Sequence, residues 1–119
     1  MPNVSNIISI ASLAVAIIVM VTNIKRNNSI DNSMFRFCYS LTNITIPSTV
    51  TGIGNNVFYN CYGLGFIKFT GSTPPTVSGT NAWANIPSDC IIYVPTGSLS
   101  TYTSNNKYPS SSTYTYIEY

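Results

Sequence analysis

The side chains that most often carry catalysis or hold metal ions are scarce in this sequence. Histidine is absent from the 119 residues, which excludes serine–histidine and cysteine–histidine couples and imidazole metal ligands. The carboxylate side chains are Asp31, Asp89 and Glu118, which lie far apart along the chain. Serine–lysine or lone-cysteine chemistry remains compatible with this inventory, but the sequence as a whole predicts a protein that is not an enzyme and needs no cofactor.

Metal and phosphate motifs are missing as well. Cys38, Cys61 and Cys90 lack the close pairwise spacing of a zinc site. The segment TGIGNN at 51–56 is the nearest text to a phosphate-binding loop, but the lysine that should follow it is absent. Neither a metal nor a nucleotide is therefore expected.

The composition points away from nucleic acid. Charged residues make up 7% of the chain and the net charge is +2, which gives no field strong enough to attract a polyanion. Hydrophobic residues make up an ordinary 45%, and much of the remainder is Ser, Thr, Asn and nine Tyr. Uncharged polar side chains of this kind suit stacked repeats and surfaces that meet neutral partners.

The chain repeats itself with a shift of 23 residues. The segment from Ser29 aligns with the segment from Gly52, and a looser third copy follows at a shift of 25, where Phe58 aligns with Trp83. These alignments assign one set of positions to a shared core: Ile30, Phe35, Cys38, Leu41, Ile44, Ile46, Ile53, Phe58, Cys61, Leu64, Ile67, Phe69, Ile92 and Val94.

Each copy has the pattern of one coil of a solenoid. A short strand with alternating side chains is predicted at 44–46, 67–69 and 92–94. Phe35, Cys38 and Leu41 follow one another at intervals of three, which predicts a tight helical turn facing the core. Cys38 and Cys61 occupy equal positions in adjacent coils, so a disulfide is permitted, but two buried thiols are favoured.

At these positions the chain resembles the BspA-like leucine-rich repeats found on bacterial surfaces. Their pattern, I-x-x-x-x-F-x-x-C-x-x-L-x-x-I-x-I-P-x-x-V-x-x-I, is matched from Ile30 to Ile53, and 73–102 is similar to the degenerate final coil of that group. The departures are Asp31 in place of Gly, Thr70 in place of Pro, and the small number of coils. The resemblance implies an α/β repeat, a short leucine-rich-repeat solenoid of small strands and helical turns. The apolar run near the N-terminus adds an apolar helix or cap to this prediction.

The ends of the solenoid need covering, because about three repeats is the lower limit for stability. The apolar run at 7–24 within residues 1–28 is compatible with a membrane anchor, a buried cap or an oligomer core, and the sequence leaves these open. Residues 29–105 form the expected solenoid. At 106–119, the alternating segment TYTYIEY predicts a capping strand that pairs with the last coil. A helical turn is predicted at 97–106, with Ser98 as its cap and Leu99 and Tyr102 packing inward.

Strand alternation also predicts which side chains face outward. The candidate partner-binding residues are Thr45, Phe66, Lys68, Ile91, Tyr93 and Trp83. The first five lie between inward strand positions. Trp83 aligns with Phe58, which predicts a core position, and a partly exposed ligand platform in the loosest coil is the alternative. Phe66 and Ile91 are apolar, and apolar residues on an outer face often mark contact surfaces. The alternative is that a neighbouring subunit or the N-terminal segment covers them.

The resemblance implies a non-catalytic binding or adhesion module on a bacterial cell or a bacteriophage particle. Its partner would be a protein or a glycan. The alternative is a structural subunit that self-associates through its apolar N-terminus. Nucleic acid is not expected, and membrane contact would run through residues 7–24.

Overall fold

A computed structural model describes residues 28–119, in which seven short strands and one helix follow one another around a solenoid. The elements are β1 (Ser29–Ile30), β2 (Asn43–Ile46), β3 (Gly52–Ile53), β4 (Phe66–Phe69), β5 (Thr76–Val77), β6 (Ile91–Val94), α1 (Leu99–Thr103) and β7 (Thr115–Glu118). Three coils begin at β1, β3 and β5. They are called coil 1, coil 2 and coil 3 below.

The strands form two parallel sheets, one on each side of the core. The smaller sheet has the order β1-β3-β5 and the larger sheet has the order β2-β4-β6-β7. In the larger sheet Ile44 pairs with Ile67 and Ile67 with Ile92, which confirms the register predicted from the shifts of 23 and 25 residues. The strands are short because each coil must turn back after a few residues.

The segments between the small strands and the large strands are turns, so the helical turn predicted from Phe35, Cys38 and Leu41 is wrong. Within residues 28–119 the only helix is α1. In coil 1, Ser33 and Phe37 have positive φ angles of 62° and 61°, and equivalent residues of the later coils share this conformation. A right-handed helix cannot pass through a left-handed residue. Phe35, Cys38 and Leu41 point into the core at intervals of three residues because consecutive turns, and not a helix, place them there.

Asparagine side chains join these turns from coil to coil. The Asn32 Oδ1 accepts a hydrogen bond from the backbone N–H of Asn55 at 2.7 Å, and the Asn55 Oδ1 accepts one from Thr80 at the same distance. Each amide lies where a Cβ on the glycine of the next coil, Gly54 or Gly79, would have to be. A glycine at this position of the repeat therefore leaves space for the asparagine of the preceding coil. In the first described coil the equivalent of Gly54 is Asp31, which departs from this glycine pattern.

Every residue that the sequence assigns to the shared core is buried. Aromatic rings stack along the axis through the centre of this core. The Phe35 and Phe58 ring centroids are 5.6 Å apart, and those of Phe58 and Trp83 are 5.5 Å apart. Offset stacking of this kind adds to the free energy gained by burial.

The C-terminal segment closes the last coil. Strand β7 lies parallel to β6, where the alternating TYTYIEY segment predicts a strand. Helix α1 buries Tyr102, but Leu99 is exposed rather than packed inward. The Ser98 side chain makes no capping hydrogen bond. The helix start is capped instead by the Glu118 carboxylate, which accepts hydrogen bonds from the N–H groups of Gly97 and Leu99 at 2.8 and 3.1 Å.

The apolar run at 7–24, predicted as an anchor, a cap or an oligomer core, lies outside the described residues. Within residues 28–119, no helix combines the length and apolar character needed to cross a bilayer.

The stacked aromatic column should dominate stability. We expect Phe58→Ala to lower the free energy of unfolding by about 3–5 kcal/mol, because it removes the central ring of the column and leaves a cavity. Urea unfolding followed by circular dichroism measures the change. Tyr62→Ala is the matched control in the same coil, since that ring is exposed, and it should cost about 1 kcal/mol or less. Equal losses in the two variants would contradict the assigned core.

Candidate binding surface

The outer face of the larger sheet carries two columns of outward side chains. Thr45, Lys68 and Tyr93 pair in one column, and Phe66 pairs with Ile91 in the other. Their neighbours in each strand are buried, so alternation directs these side chains away from the core. Thr45 is exposed and the other four are partly exposed. The register thus brings five of the six candidate partner-binding residues together.

Four of the outward side chains on this face form one cluster, called the sheet cluster below: Phe66, Lys68, Tyr93 and Tyr119. The Phe66 and Tyr93 rings meet edge to face with centroids 5.6 Å apart, and the Lys68 Nζ lies 4.4 Å from the centroid of the Tyr119 ring. A shallow depression of about 280 Å³ lies among them. An apolar depression with one cation at its side can hold a partner's side chain.

Tyr119 is the member of the sheet cluster that sequence reasoning missed. It directly follows β7, whose pairing with β6 brings it beside the cluster. Its hydroxyl donates to the Phe69 carbonyl at 2.6 Å, so the ring is held in place while 46% of the residue stays exposed. Extending the predicted β7 pairing by one residue would have been the signal.

Lys68 carries the positive charge of this surface. The structure places its ammonium over the Tyr119 ring and pairs it with no carboxylate among the described residues. Glu118, one residue before Tyr119, uses its carboxylate at the start of α1. The Lys68 charge is therefore available to a partner.

The nine tyrosines divide into two groups by what their hydroxyls do. The five tyrosines from Tyr102 onward donate to backbone carbonyls: Tyr102, Tyr108, Tyr114, Tyr116 and Tyr119. Four of these bonds tie the C-terminal segment to the coils, and the bond from Tyr116 to Pro109 lies within that segment. The other four form no hydroxyl hydrogen bond to a described residue: Tyr39, Tyr59, Tyr62 and Tyr93. The second group is concentrated on the outer surface, where unbonded hydroxyls can serve a ligand.

Comparison with known protein families identifies the repeat. The model of the BspA type leucine rich repeat region matches residues 4–88 and 28–118 in six copies. The chain belongs to the BspA-type leucine-rich-repeat family. No curated protein and no solved structure matches it. Repeats of this family generally act as interaction modules and are often associated with surfaces.

Trp83 does not join the outer surface of this BspA-type solenoid. Its ring stacks on Phe58 and lies 5.4 Å from the ring centroid of Tyr108, and its indole N–H donates to the Lys107 carbonyl at 2.8 Å. The ring and its polar atom are both used in packing the last coil. Trp83 thus lies in the aromatic column, as its alignment with Phe58 predicts, and apart from the other five candidate partner-binding residues.

The cysteines of the repeat are placed for packing. Cys38, Cys61 and Cys90 are buried and free, and the Cys61 thiol donates to the Phe35 carbonyl at 3.0 Å. Burial raises the pKa of Cys38 and of Cys61 to about 12 and that of Cys90 to about 11. A thiol that stays protonated is a poor nucleophile. Among residues 28–119 no group of His, Cys, Asp or Glu side chains could hold a metal ion.

The thiols should resist modification until the chain unfolds. We expect iodoacetamide at pH 8 to leave the native protein unlabelled, and to label Cys38, Cys61 and Cys90 under denaturing, non-reducing conditions. Mass spectrometry of the alkylated peptides distinguishes the two states. A linked Cys38–Cys61 peptide, or rapid labelling of the native protein, would contradict this expectation.

The same burial should make the fold sensitive to alkali. The pKa of each thiol is raised above its usual 9.0 in the folded state. The protonated thiols therefore contribute their full share to the free energy of unfolding below pH 9, and this share is lost as the pH rises through the folded-state pKa values. Burial also raises the pKa of Tyr102 and Tyr108 above 10.0, which acts in the same direction.

Proposed function

We propose that this chain is a non-catalytic recognition module that binds a protein partner through the outer face of its larger sheet. The observation that carries the proposal is the sheet cluster, in which Phe66, Tyr93 and Tyr119 surround the ammonium-bearing Lys68. The family supports it as well, because its repeats generally mediate interactions.

The sheet cluster has the properties of a binding hot spot. Aromatic residues carry a large share of the free energy at protein interfaces, and they do so best when held rigidly before binding. The Phe66 and Tyr93 rings support each other edge to face, and their Cα atoms are fixed in adjacent parallel strands. The two side chains therefore lose little conformational entropy when a partner binds.

Lys68 is suited to orienting the partner. Its Nζ lies over the Tyr119 ring at 4.4 Å, so the charge has a fixed position at the edge of the apolar depression. Rim charges of this kind affect association rate and orientation more than affinity. A neutral, aromatic partner surface with one nearby carboxylate fits this arrangement.

The place of action that we propose is a bacterial cell surface or a bacteriophage particle. Its support is the family, whose members are often associated with surfaces. The self-assembly alternative depends on the apolar segment 7–24, which lies outside the described residues, and no observation on residues 28–119 favours it over partner binding. Sizing by light scattering without detergent separates the two, since a recognition module should be monomeric.

Substitution of the two central rings tests the proposal. Phe66→Ser and Tyr93→Ser should fold, because both side chains lie on the outer face, and should weaken partner binding at least about tenfold, a loss of about 1.4 kcal/mol or more. Tyr62→Ser is the matched control, as it removes an exposed tyrosine away from the sheet cluster. The measurement is quantitative retention of host surface proteins on immobilised variants, with circular dichroism as the check of folding.

The decisive result is one protein retained by the parent and by Tyr62→Ser but lost from both sheet variants. Equal retention by all four would show that the larger sheet is not the working surface. Unfolding of both sheet variants would show that these rings face the core.

A further inference from the structure

A second exposed aromatic surface lies on the turns that precede the larger sheet. Tyr39 and Tyr62 occupy equal positions in coils 1 and 2 and are 59% and 56% exposed. Their rings are nearly parallel, with an interplanar angle of 7° and centroids 5.6 Å apart. Phe37 joins them, since its ring centroid lies 6.2 Å from that of Tyr39 and 5.7 Å from that of Tyr59. Together with Arg36 these residues are called the turn cluster.

Arg36 gives the turn cluster a positive charge that no described carboxylate neutralises. Its guanidinium carbon lies 4.5 Å from the ring centroid of Phe37 and 5.7 Å from that of Tyr59. Contact with two rings holds the guanidinium in place while the residue stays exposed. A guanidinium held in this way can bind a carboxylate through two parallel hydrogen bonds.

Phe37 shows that the turn cluster is maintained at a cost to the fold. It has a φ of 61°, a conformation that bulky side chains rarely adopt. The equivalent residues of coils 2 and 3 are Asn60 and Asn85, which suit this conformation and hydrogen-bond to each other at 2.7 Å. Coil 1 lacks that amide contact and presents an aromatic ring instead. A strained backbone that holds a partly exposed aromatic ring is typical of functional sites.

The hydroxyls of the turn cluster are also unused by the fold. Tyr39, Tyr59 and Tyr62 belong to the tyrosines whose hydroxyls bond to no described residue. Two parallel tyrosines on successive coils therefore present the same pair of groups twice, an aromatic ring and a free hydroxyl. The repeat favours a ligand that has a short repeat of its own.

We propose that the turn cluster binds an acidic polysaccharide, a chain of pyranose units that carry carboxylates. The C–H faces of the sugar rings would lie against the exposed parts of the stacked Tyr39 and Tyr62 rings, and the sugar hydroxyls would hydrogen-bond with the tyrosine hydroxyls. Arg36 would bind a uronate carboxylate. An acidic peptide lacks the rigid, flat apolar units that repeat with the coils, so the polysaccharide is the occupant that uses every part of the cluster. This site is separate from the sheet cluster and does not depend on it.

Isothermal titration calorimetry with a defined oligogalacturonate tests the site on the full chain. Cello-oligosaccharide of equal length provides the neutral comparison, and poly-glutamate provides the acidic peptide. The variants are Arg36→Gln, Tyr39→Ala with Tyr62→Ala, and the milder Tyr39→Phe with Tyr62→Phe, which removes only the hydroxyls. Tyr93→Ser is the control on the other surface, and circular dichroism checks that each variant folds.

We expect the parent to bind oligogalacturonate at least about tenfold more tightly than either comparison ligand, and Tyr93→Ser to bind it equally well. Arg36→Gln and the double alanine variant should each weaken binding at least about tenfold, and Arg36→Gln should also reduce its dependence on salt. If the alanine variant does not fold, the phenylalanine variant should still bind at least about threefold more weakly than the parent. No binding by the parent, tighter binding of poly-glutamate, or unchanged binding by Arg36→Gln would each overturn the proposal. The two proposals can fail independently. Absence of oligogalacturonate binding together with loss of partner retention in the sheet variants would reject the turn cluster alone, and the reverse pair of results would reject the sheet cluster alone.

Discussion

Hydrogen bonds between successive coils are the constraint on which the rest of this structure depends. They run beyond the strands into the turns, where the Phe35 N–H donates to Val57 and the Phe58 N–H donates to Ala82 at 3.0 and 2.8 Å. A continuous ladder of this kind fixes the register between neighbouring coils, so each side chain lies over its equivalent in the next coil. Core residues then stack on core residues, asparagines on asparagines, and surface rings on surface rings. The candidate binding surfaces follow from the same ladder.

The C-terminal segment shows how such a ladder ends without leaving its last coil open. Strand β7 continues the larger sheet by one strand, and the Glu118 carboxylate holds the start of α1. Long-range tyrosine hydrogen bonds then fasten the segment, as Tyr102 donates to Gly71 and Tyr108 donates to Pro75, both at 2.7 Å. These bonds satisfy buried hydroxyls that would otherwise cost free energy. This chain, of which charged residues make up 7%, thus fastens its C-terminal segment with tyrosine hydrogen bonds.

Parts of this structure could be predicted from the sequence, and the parts that could not have identifiable physical reasons. The shift of 23 residues predicted the register of β2, β4 and β6, because hydrophobic columns must align when parallel strands stack. The helical turn predicted from Phe35, Cys38 and Leu41 was wrong, because spacing by three does not distinguish a helix from turns through left-handed residues. Asn56 and Asn60, which tolerate positive φ, were the available signal. The helical turn predicted at 97–106 contains α1. The contact of Tyr119 with Lys68 joins residues distant in sequence, so the one signal for it was the predicted pairing of β7, extended by one residue.

The inter-coil register is tested most directly by nuclear Overhauser effects between backbone protons of neighbouring strands in the folded chain. If coils stack as described, Thr45 shows cross-peaks to the residues around Lys68, and Lys68 shows them to those around Tyr93, as the pairings Thr45–Lys68 and Lys68–Tyr93 require. The cross-peaks between β2, β4 and β6 must be centred on these two residue pairs. A pattern centred one residue away, on Thr45–Ile67 or Thr45–Phe69, would turn the outward column into the core and contradict the stacking on which both binding surfaces depend.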